Sequence, residues 1–313
     1  MVCLLWIAIY LLLFVLVALV SGNNLSACSG AIISGGVVDR KTGISITILG
    51  YVAGFMLQGG LLKVGLQTLL PVQSAVLVSI ALVIALVVFI VSHMLRVPQS
   101  LSITFAMALV GIGLAYGKPL NADYVSGMIG FWILSSLAST VLAMTVMRSL
   151  HGFLEKRNVW KSVRNIKLAL ILISFLTAFV LGANTIGFLF ASVYALTDAF
   201  YAMVLTIIAI VIGSIFLSKG ELKTVGSGIL PLRYLNAFIS QSASVVVVEI
   251  ATLFSIPASN TQAFVASLYG AGISYRTRLI RKRPMFSIVL SWVATAAVSL
   301  VIGFLATFAI YHL

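Results

Sequence analysis

The chain has 313 residues, of which 62% are hydrophobic and 8% charged, with a mean hydropathy of +1.21. So few charges cannot cover a water-facing surface, which excludes a soluble enzyme, a disordered chain and a fibrous protein, and apolar runs of about 20 residues predict a multi-span membrane protein with roughly ten crossings. Nineteen Lys and Arg oppose six Asp and Glu, an excess that in a membrane protein indicates topology and not nucleic-acid binding.

Five apolar elements are predicted first, at about 2–38, 43–62, 72–94, 97–116 and 124–148. The first is interrupted at Gly22-Asn23-Asn24, and its start at Val2–Val20 lacks the basic residues of a signal peptide, so we keep it in the fold. Five more elements follow a basic segment, the first of them interrupted at Gly182-Ala183-Asn184, at about 167–197, 199–217, 233–254, 257–274 and 285–311.

The two groups of elements are internal copies of each other. Gly182-Ala183-Asn184 follows Gly22-Asn23-Asn24 by 160 residues, and Ser255–Phe264 matches Arg96–Phe105 at an offset of 159. Two separate motifs at nearly one offset indicate a duplication. We therefore divide the chain into a first transmembrane repeat, a basic cytoplasmic linker and a second transmembrane repeat, at 1–150, 151–166 and 167–313.

An odd number of crossings in each repeat places the second repeat upside down relative to the first. If the linker is cytoplasmic, every basic residue except Lys63 and Lys118 falls in a cytoplasmic segment. The equivalent loops 117–123 and 275–284 differ most, with one basic residue against five, and inverted topology explains this asymmetry where a parallel repeat does not. Both termini are expected to lie outside the cell membrane.

Two pairs of elements, 72–94 with 97–116 and 233–254 with 257–274, either span the membrane fully or form re-entrant hairpins with Pro98 and Pro257 at their tips. The difference decides the role of Arg96. In a re-entrant hairpin its guanidinium is expected to bind an oxyanion bidentately. In a full span it is only a cytoplasmic anchor.

The symmetric interruptions are candidate binding elements. Irregular backbone at membrane depth is tolerated only where protein or water covers it, and symmetric breaks in inverted repeats indicate a transport site at the repeat interface. A helix that starts at such a break directs N–H groups and a positive dipole end at an anion. The alternative is plain N-capping by Ser and close packing by Gly. The hydroxyl and amide side chains predicted to bind are Asn24, Asn184, Ser100, Ser102, Ser259 and Thr261.

Three further features bear on chemistry. Glu249 is the acid inside an apolar element, which indicates a proton relay or, alternatively, a side chain that reaches the interface or pairs with a basic residue. Cys3 and Cys28 have no CxxC or His cluster beside them, so neither a metal site nor a disulfide is predicted. The sequence contains no Walker loop or catalytic triad, so neither a primary pump nor an enzyme is expected.

The motifs around Gly22-Asn23-Asn24-Leu25, Gly182-Ala183-Asn184-Thr185 and Ile256–Gly272 resemble those of the inorganic phosphate transporter (Pit) family of membrane permeases. That family carries Gly-Ala-Asn-Asp-Val-Ala-Asn in each inverted half and Pro-Val-Ser-Thr-Thr-His before a Gly-rich helix. The resemblance implies an all-α integral membrane protein with about ten to twelve helical segments in two inverted-topology repeats. It also implies cation-coupled phosphate transport by alternating access, with phosphate held between the two hairpin tips and the two Gly-x-Asn breaks.

The chain departs from the family motifs at several positions. The family's Asp is Leu25 in one half and Thr185 in the other, its His is Ile103 and Gln262, and a Glu before the second Pro is Gln241. The resemblance implies that Gln241 and Gln262 bind substrate and that Thr185 lies at the coupling ion. Sodium prefers carboxylate oxygens, which these replaced positions lack. Protons bound by Glu249 and sodium are therefore both open as coupling ions, and no other cofactor is expected.

Fewer carboxylates also make the site less repulsive to a dianion, so the alternatives are a permease for sulfate or another tetrahedral oxyanion, and a transport-inactive membrane scaffold or sensor. Membrane lipid is the other expected partner. The small-residue segment Ala266–Ser274 packs either within one chain or between two chains of a homodimer.

Overall fold

A computed structural model describes residues 2–70, 74–95, 99–117, 120–154, 159–194, 196–218, 234–274 and 282–312, with only the backbone at 2–3, 151–154, 159–163, 282–287 and 312. Every regular element in these ranges is helical, which confirms the predicted fold class. The helices are α1 (Val2–Asn23), α2 (Leu25–Ser34), α3 (Arg40–Gln58), α4 (Leu62–Leu69), α5 (Ala75–Met94), α6 (Leu101–Ala115), α7 (Ala122–Leu154), α8 (Val159–Leu181), α9 (Gly187–Tyr194), α10 (Ala199–Phe216), α11 (Tyr234–Leu253), α12 (Asn260–Ser274) and α13 (Lys282–His312).

Eight helical segments of the described chain are long and apolar enough to cross a membrane: Leu4–Ser34, Arg40–Leu69, Ala75–Met94, Ala122–Leu150, Arg164–Tyr194, Ala199–Phe216, Tyr234–Leu253 and Ile288–Tyr311. Large apolar side chains such as Leu4, Leu57 and Phe216 stay exposed on them. Lipid is the solvent that suits such a surface. The multi-pass membrane class is thus confirmed.

The remaining two predicted elements are α6 and α12, which have 15 residues each. At 1.5 Å per residue each is about 22 Å long, short of the roughly 30 Å hydrocarbon core. Each packs against the helix before it in the chain, α6 against α5 and α12 against α11. These lengths favour the re-entrant alternative. We call the residues that join α5 to α6 the first tip, and those that join α11 to α12 the second tip.

The two halves interlock by exchanging helices. In the first repeat, α1 and α3 pack on α10 and α8 of the second, and α6 and α7 pack on α13 and α12. The contact of α1 with α10 thus corresponds to that of α8 with α3, and the contact of α6 with α13 to that of α12 with α7. Such reciprocal packing is what a two-fold relation between the halves produces. The inverted orientation of the repeats and the outward termini stay predictions.

Glycines make the exchanged contacts close, and they recur at the repeat offset. A Cβ at Gly111 of α6 would overlap the backbone at Leu300 of α13, and a Cβ at Gly270 of α12 would overlap the backbone at Thr140 of α7. The Thr140 hydroxyl also donates to the Ala266 carbonyl at 3.1 Å. The small-residue segment Ala266–Ser274 thus packs within one chain, against α7.

The Gly-x-Asn motifs interrupt their helices less than the sequence predicts. At the first, Asn24 N still donates to Val20 O (2.9 Å) and Cys28 N to Asn24 O (3.1 Å), so helical bonding continues from α1 into α2. At the second, Gly182–Ile186 forms a π-helical turn between α8 and α9, a feature that is frequent at functional sites. The prediction that a new helix N-terminus opens at each motif is wrong, because the chain stays helical through both.

Candidate functional site

A small polar cavity lies where all four interruptions meet. The space open to the centre of a water molecule is about 20 Å³, which is room for one or two waters. Among the residues that the structure describes, none that lines this cavity carries an ionisable side chain. The lining residues come from the α1–α2 junction, α5, the first tip with the start of α6, the end of α8 with the π turn, and the start of α12: Asn23, Asn24, Phe89, Gln99, Ser100, Leu101, Ser102, Leu181, Thr185, Asn260 and Thr261.

Two helix N-termini open at this cavity. Ser100 Oγ accepts from Ile103 N (3.5 Å) at the start of α6, and Ser259 Oγ accepts from Gln262 N (3.1 Å) at the start of α12. These serines are N-caps, as the alternative interpretation had it, and Ser259 is not among the lining residues. The first N–H groups of an α-helix have no intrahelical partner. On α6 and α12 they belong to four lining residues, Leu101, Ser102, Asn260 and Thr261.

Two amide side chains at the cavity have buried polar atoms without hydrogen-bond partners. Asn260 is 3% exposed, and neither its Nδ2 nor its Oδ1 has a partner. Gln99 Oε1 accepts from the Thr104 hydroxyl at 3.1 Å, while its Nε2 is buried without an acceptor. Buried polar groups are almost always satisfied, so these atoms indicate a polar occupant. Sequence reasoning missed both residues, although Asn260 is visible as an amide where the family motif has Thr.

A hydroxyl pair joins the first tip to the second repeat. Ser102 Oγ lies 3.1 Å from Thr185 Oγ1, and both residues are buried. Asn24 is half-buried at the same cavity and makes no side-chain capping bond to α2. The structure thus brings together Asn24, Ser100, Ser102, Thr185 and Thr261 of the residues predicted from the sequence.

Asn184 does not line the cavity. Its Nδ2 donates to Thr252 Oγ1 and to the Ile256 carbonyl, both at 3.0 Å, and its Oδ1 accepts from Ala258 N at 2.8 Å. The side chain is fully buried. Its hydrogen bonds therefore hold the second tip in place, and the two Asn of the repeated motif do different work.

The second tip is also held from the first repeat. Trp132 Nε1 of α7 donates to the Pro257 carbonyl (2.7 Å), and the Tyr124 hydroxyl donates to the Ser255 carbonyl (2.6 Å). Ser255 adopts φ of +58°, a conformation uncommon for a non-glycine residue, and its hydroxyl donates to the Leu61 carbonyl at 2.7 Å. These contacts hold the second tip against the first repeat.

The other predicted residues lie away from the cavity or cannot be placed. Gln241 Nε2 donates to the carbonyls of Ala27 and Cys28, both at 2.8 Å, which ties α11 to α2. Gln262 is buried on α12 but is not a lining residue. Glu249 accepts from Gln58 and does not line the cavity either. Arg96 and Pro98 lie outside the described residues.

Comparison with known proteins gives the family. A model described as "Phosphate transporter family" matches residues 20–303. The chain belongs to the phosphate transporter family. This family member is 27% identical over 235 residues to a protein of Methanocaldococcus jannaschii that carries the name of a phosphate permease, covering 72% of this chain and 73% of that one.

A second sequence similarity and a structural similarity each cover more than nine tenths of this chain. The sulfate permease CysP of Bacillus subtilis is 23% identical over 296 residues, covering 91% of this chain and 82% of CysP. A solved structure described as "The sodium-dependent phosphate transporter" superposes with a TM-score of 0.80 at 18% identity, covering 98% of this chain and 99% of the other. The structural likeness supports the fold.

Proposed function

We propose that this protein is a secondary transporter that carries inorganic phosphate across a membrane by alternating access of its two repeats. One observation carries the proposal: four interruptions, two from each repeat, meet at a single polar cavity with two helix N-termini opening at it. Membership of the phosphate transporter family supports the same conclusion.

The donors that the described residues offer to the anion are uncharged. Backbone N–H groups at the starts of α6 and α12, the Ser102 and Thr261 hydroxyls, and the amides of Asn24, Gln99 and Asn260 are the available donors. Hydrogen bonds to an ionised partner are about twice as strong as neutral ones. A cavity with room for one or two waters is smaller than a phosphate ion, so binding requires the tips to move apart, as alternating access demands.

The first experiment measures uptake of radiolabelled phosphate into proteoliposomes. Ser102→Ala and Asn260→Leu each remove a donor, and a hydrogen bond to a charged partner contributes about 1.5–3 kcal/mol, or roughly 10–100-fold in affinity. Ser267→Ala is the matched control, because this buried hydroxyl of α12 bonds only its own helix, at the Ala263 carbonyl (2.7 Å). Equal affinity in wild type and both site variants would contradict the proposed binding site.

Sulfate is the second candidate substrate. The similarity to CysP covers more of the chain than that to the M. jannaschii protein, and no carboxylate lines the cavity. Hydrogen phosphate differs from sulfate in carrying an O–H, for which Asn260 Oδ1 is an unpartnered buried acceptor. A site built to pair a substrate O–H discriminates against an analogue that lacks it. Phosphate is therefore the expected preference, and competition of labelled phosphate uptake by excess sulfate tests it.

Coupling to a cation completes the proposed cycle. The structural neighbour is sodium-dependent by its description. In this chain Thr185, Ser102 and the lining amides offer neutral oxygens beside the anion, so a sodium ion would be held jointly by these oxygens and the substrate. Uptake under imposed sodium gradients, at matched pH on both sides, measures this contribution directly.

The predicted topology also belongs to the proposal. We expect 1–150 and 167–313 to be inverted repeats, the linker at 151–166 to be cytoplasmic and both termini to face outward. Single cysteines placed at Lys41 and Phe200, which are exposed and lie at the repeat offset of 159 residues, should be labelled by a membrane-impermeant maleimide from opposite sides of the membrane. Labelling of both from one side would contradict the inverted arrangement.

A further inference from the structure

A half-buried carboxylate and a half-buried amide form an incomplete pair away from the anion cavity. Glu249 of α11 accepts from Gln58 Nε2 at the end of α3, with 2.8 Å between Oε1 and Nε2. Glu249 Oε2 and Gln58 Oε1 are both buried, and neither has a hydrogen-bond partner. Two acceptors of one contact thus lack a donor.

One proton would satisfy both atoms. An ionised carboxylate only accepts, and an amide oxygen only accepts. A proton on Glu249 Oε2 creates an O–H donor, and the oxygen of the amide already bonded to Oε1 is the complementary acceptor. Acid and amide then exchange two hydrogen bonds instead of one. Leaving a buried charge incompletely paired is costly, so the contact as built suits the protonated acid.

A sodium ion suits the pair less well. Hard cations take about six oxygen ligands, whereas this contact offers two unpartnered side-chain oxygens. The anion cavity, with its hydroxyls and amides, offers more. We therefore assign the proton, and not sodium, to Glu249.

Among the described residues, the charged and titratable groups near this end of α11 do not neutralise the carboxylate. On α7, the Tyr124 hydroxyl donates to the Ser255 carbonyl, and Asp123 is exposed. On α4, the Lys63 ammonium lies 3.3 Å from the centroid of the Tyr194 ring. On α3, the Tyr51 hydroxyl contacts Cys28 Sγ of α2 at 3.4 Å. The other helices that pack on α11 carry their nearest such groups at its opposite end. Lys167 of α8 lies beside the Tyr234 ring at the start of α11, about 22 Å along that helix from Glu249. Tyr269 lies nine residues after Asn260, the first residue of α12, and so far along α12 from the second tip.

The pair bridges the repeats on α11, the helix that leads into the second tip. Gln58 belongs to the first repeat and Glu249 to the second. One turn after Glu249, Thr252 accepts from Asn184, which also holds Ile256 and Ala258 of the second tip. Any movement that separates α3 from α11 breaks the pair and exposes the acid.

We propose that Glu249 is the proton-binding group that couples transport: it is protonated while it contacts Gln58 and releases the proton when the two repeats separate. This inference rests on the proposed transport of an oxyanion, and it names the coupling ion and its ligand. The binding step is Glu–COO⁻ plus H⁺ giving Glu–COOH, with no other group consumed.

The experiment compares wild type, Glu249→Gln and Asp123→Asn in proteoliposomes that contain a pH-sensitive dye. An inward gradient of one pH unit drives about tenfold accumulation if one proton accompanies each anion. Wild type and Asp123→Asn, in which an exposed carboxylate is removed as the matched control, should accumulate phosphate and acidify the lumen. Glu249→Gln mimics the protonated acid, so it should retain phosphate–phosphate exchange while losing both accumulation and acidification.

Gradient-driven accumulation by Glu249→Gln at the wild-type level would overturn the proposal. So would accumulation by wild type that follows a sodium gradient and disappears in Glu249→Gln, because the site would then take sodium. Infrared spectra of the purified protein test protonation independently of transport. The C=O stretch of a protonated carboxyl should be present in wild type and absent in Glu249→Gln, and its absence from wild type refutes the assignment. If the band is present but no variant exchanges phosphate, the proposed substrate fails and the proton site stands.

Discussion

Replacing Asn184 by Ala tests the idea that this side chain positions the second tip instead of binding the anion. The substitution deletes three hydrogen bonds and leaves the Ile256 carbonyl and the Ala258 N–H without partners, Ala258 being 2% exposed. An unsatisfied buried group costs about 1–3 kcal/mol. We expect a loss of about 3 kcal/mol, which for a chain of this size lowers the melting temperature by roughly 6 °C.

The assay pairs thermal unfolding in detergent, followed by tryptophan fluorescence, with phosphate uptake in proteoliposomes. Ser192→Ala is the control, because this buried hydroxyl bonds its own helix at the Leu189 carbonyl (2.6 Å). Asn184→Asp keeps the acceptor for Ala258 N but turns an oxygen toward the Ile256 carbonyl. Its melting temperature should therefore fall between those of wild type and Asn184→Ala. Asn24→Ala should weaken phosphate binding and leave the melting temperature unchanged. If Asn184→Ala melts with wild type and transports at its rate, the positioning role is wrong.

Three further predictions concern packing, helix capping and the second tip. Gly111→Ala should lower the yield of folded protein in size-exclusion chromatography, because its Cβ meets backbone of α13, while Gly130→Ala, with no atom within 4 Å, should not. Asp39 caps α3, and a hydrogen bond from the Thr42 hydroxyl lowers the pKa of its carboxyl below 3.8. The stability that the ionised carboxyl contributes is therefore present above pH 3.8 and lost as the pH falls further. The melting temperatures of wild type and Asp39→Asn should converge below that pH. Trp132→Phe removes the donor to the carbonyl of the second tip and should slow phosphate uptake, by about fivefold if one neutral hydrogen bond of about 1 kcal/mol is lost, without changing the secondary structure seen by circular dichroism.

The residue pairs related by the repeat offset show how far sequence reasoning reached. The offset of about 160 residues predicted that Gly111 and Gly270 are equivalent. Gly111 packs on the backbone of α13 and Gly270 on the backbone of α7, and each of these helices is the last of the opposite half. The starts of α6 and α12 agree with the predicted elements, because Ser two residues after Pro is a signal for a helix start.

Equivalence in sequence did not extend to equivalence of role. Asn24 and Asn184 occupy matching positions, yet one lines the cavity and the other is fully bonded to the second tip. No local pattern distinguishes them, because the partners of Asn184 lie about 70 residues away along the chain. Gln58 was overlooked for the same reason, since Glu249 lies 191 residues from it.

The amino-acid sequence alone determined the membrane environment and the helical class, and it predicted the duplication and the starts of α6 and α12, because hydropathy, Pro, Gly and repeated motifs are properties of short stretches. The tertiary structure alone decided which polar side chains face the shared cavity and which are consumed in holding a tip. It decided that the motif helices continue as a turn and a π turn instead of ending, and that Glu249 meets an amide. These outcomes depend on how helices distant in sequence pack, and close packing selects one partner for each buried polar group.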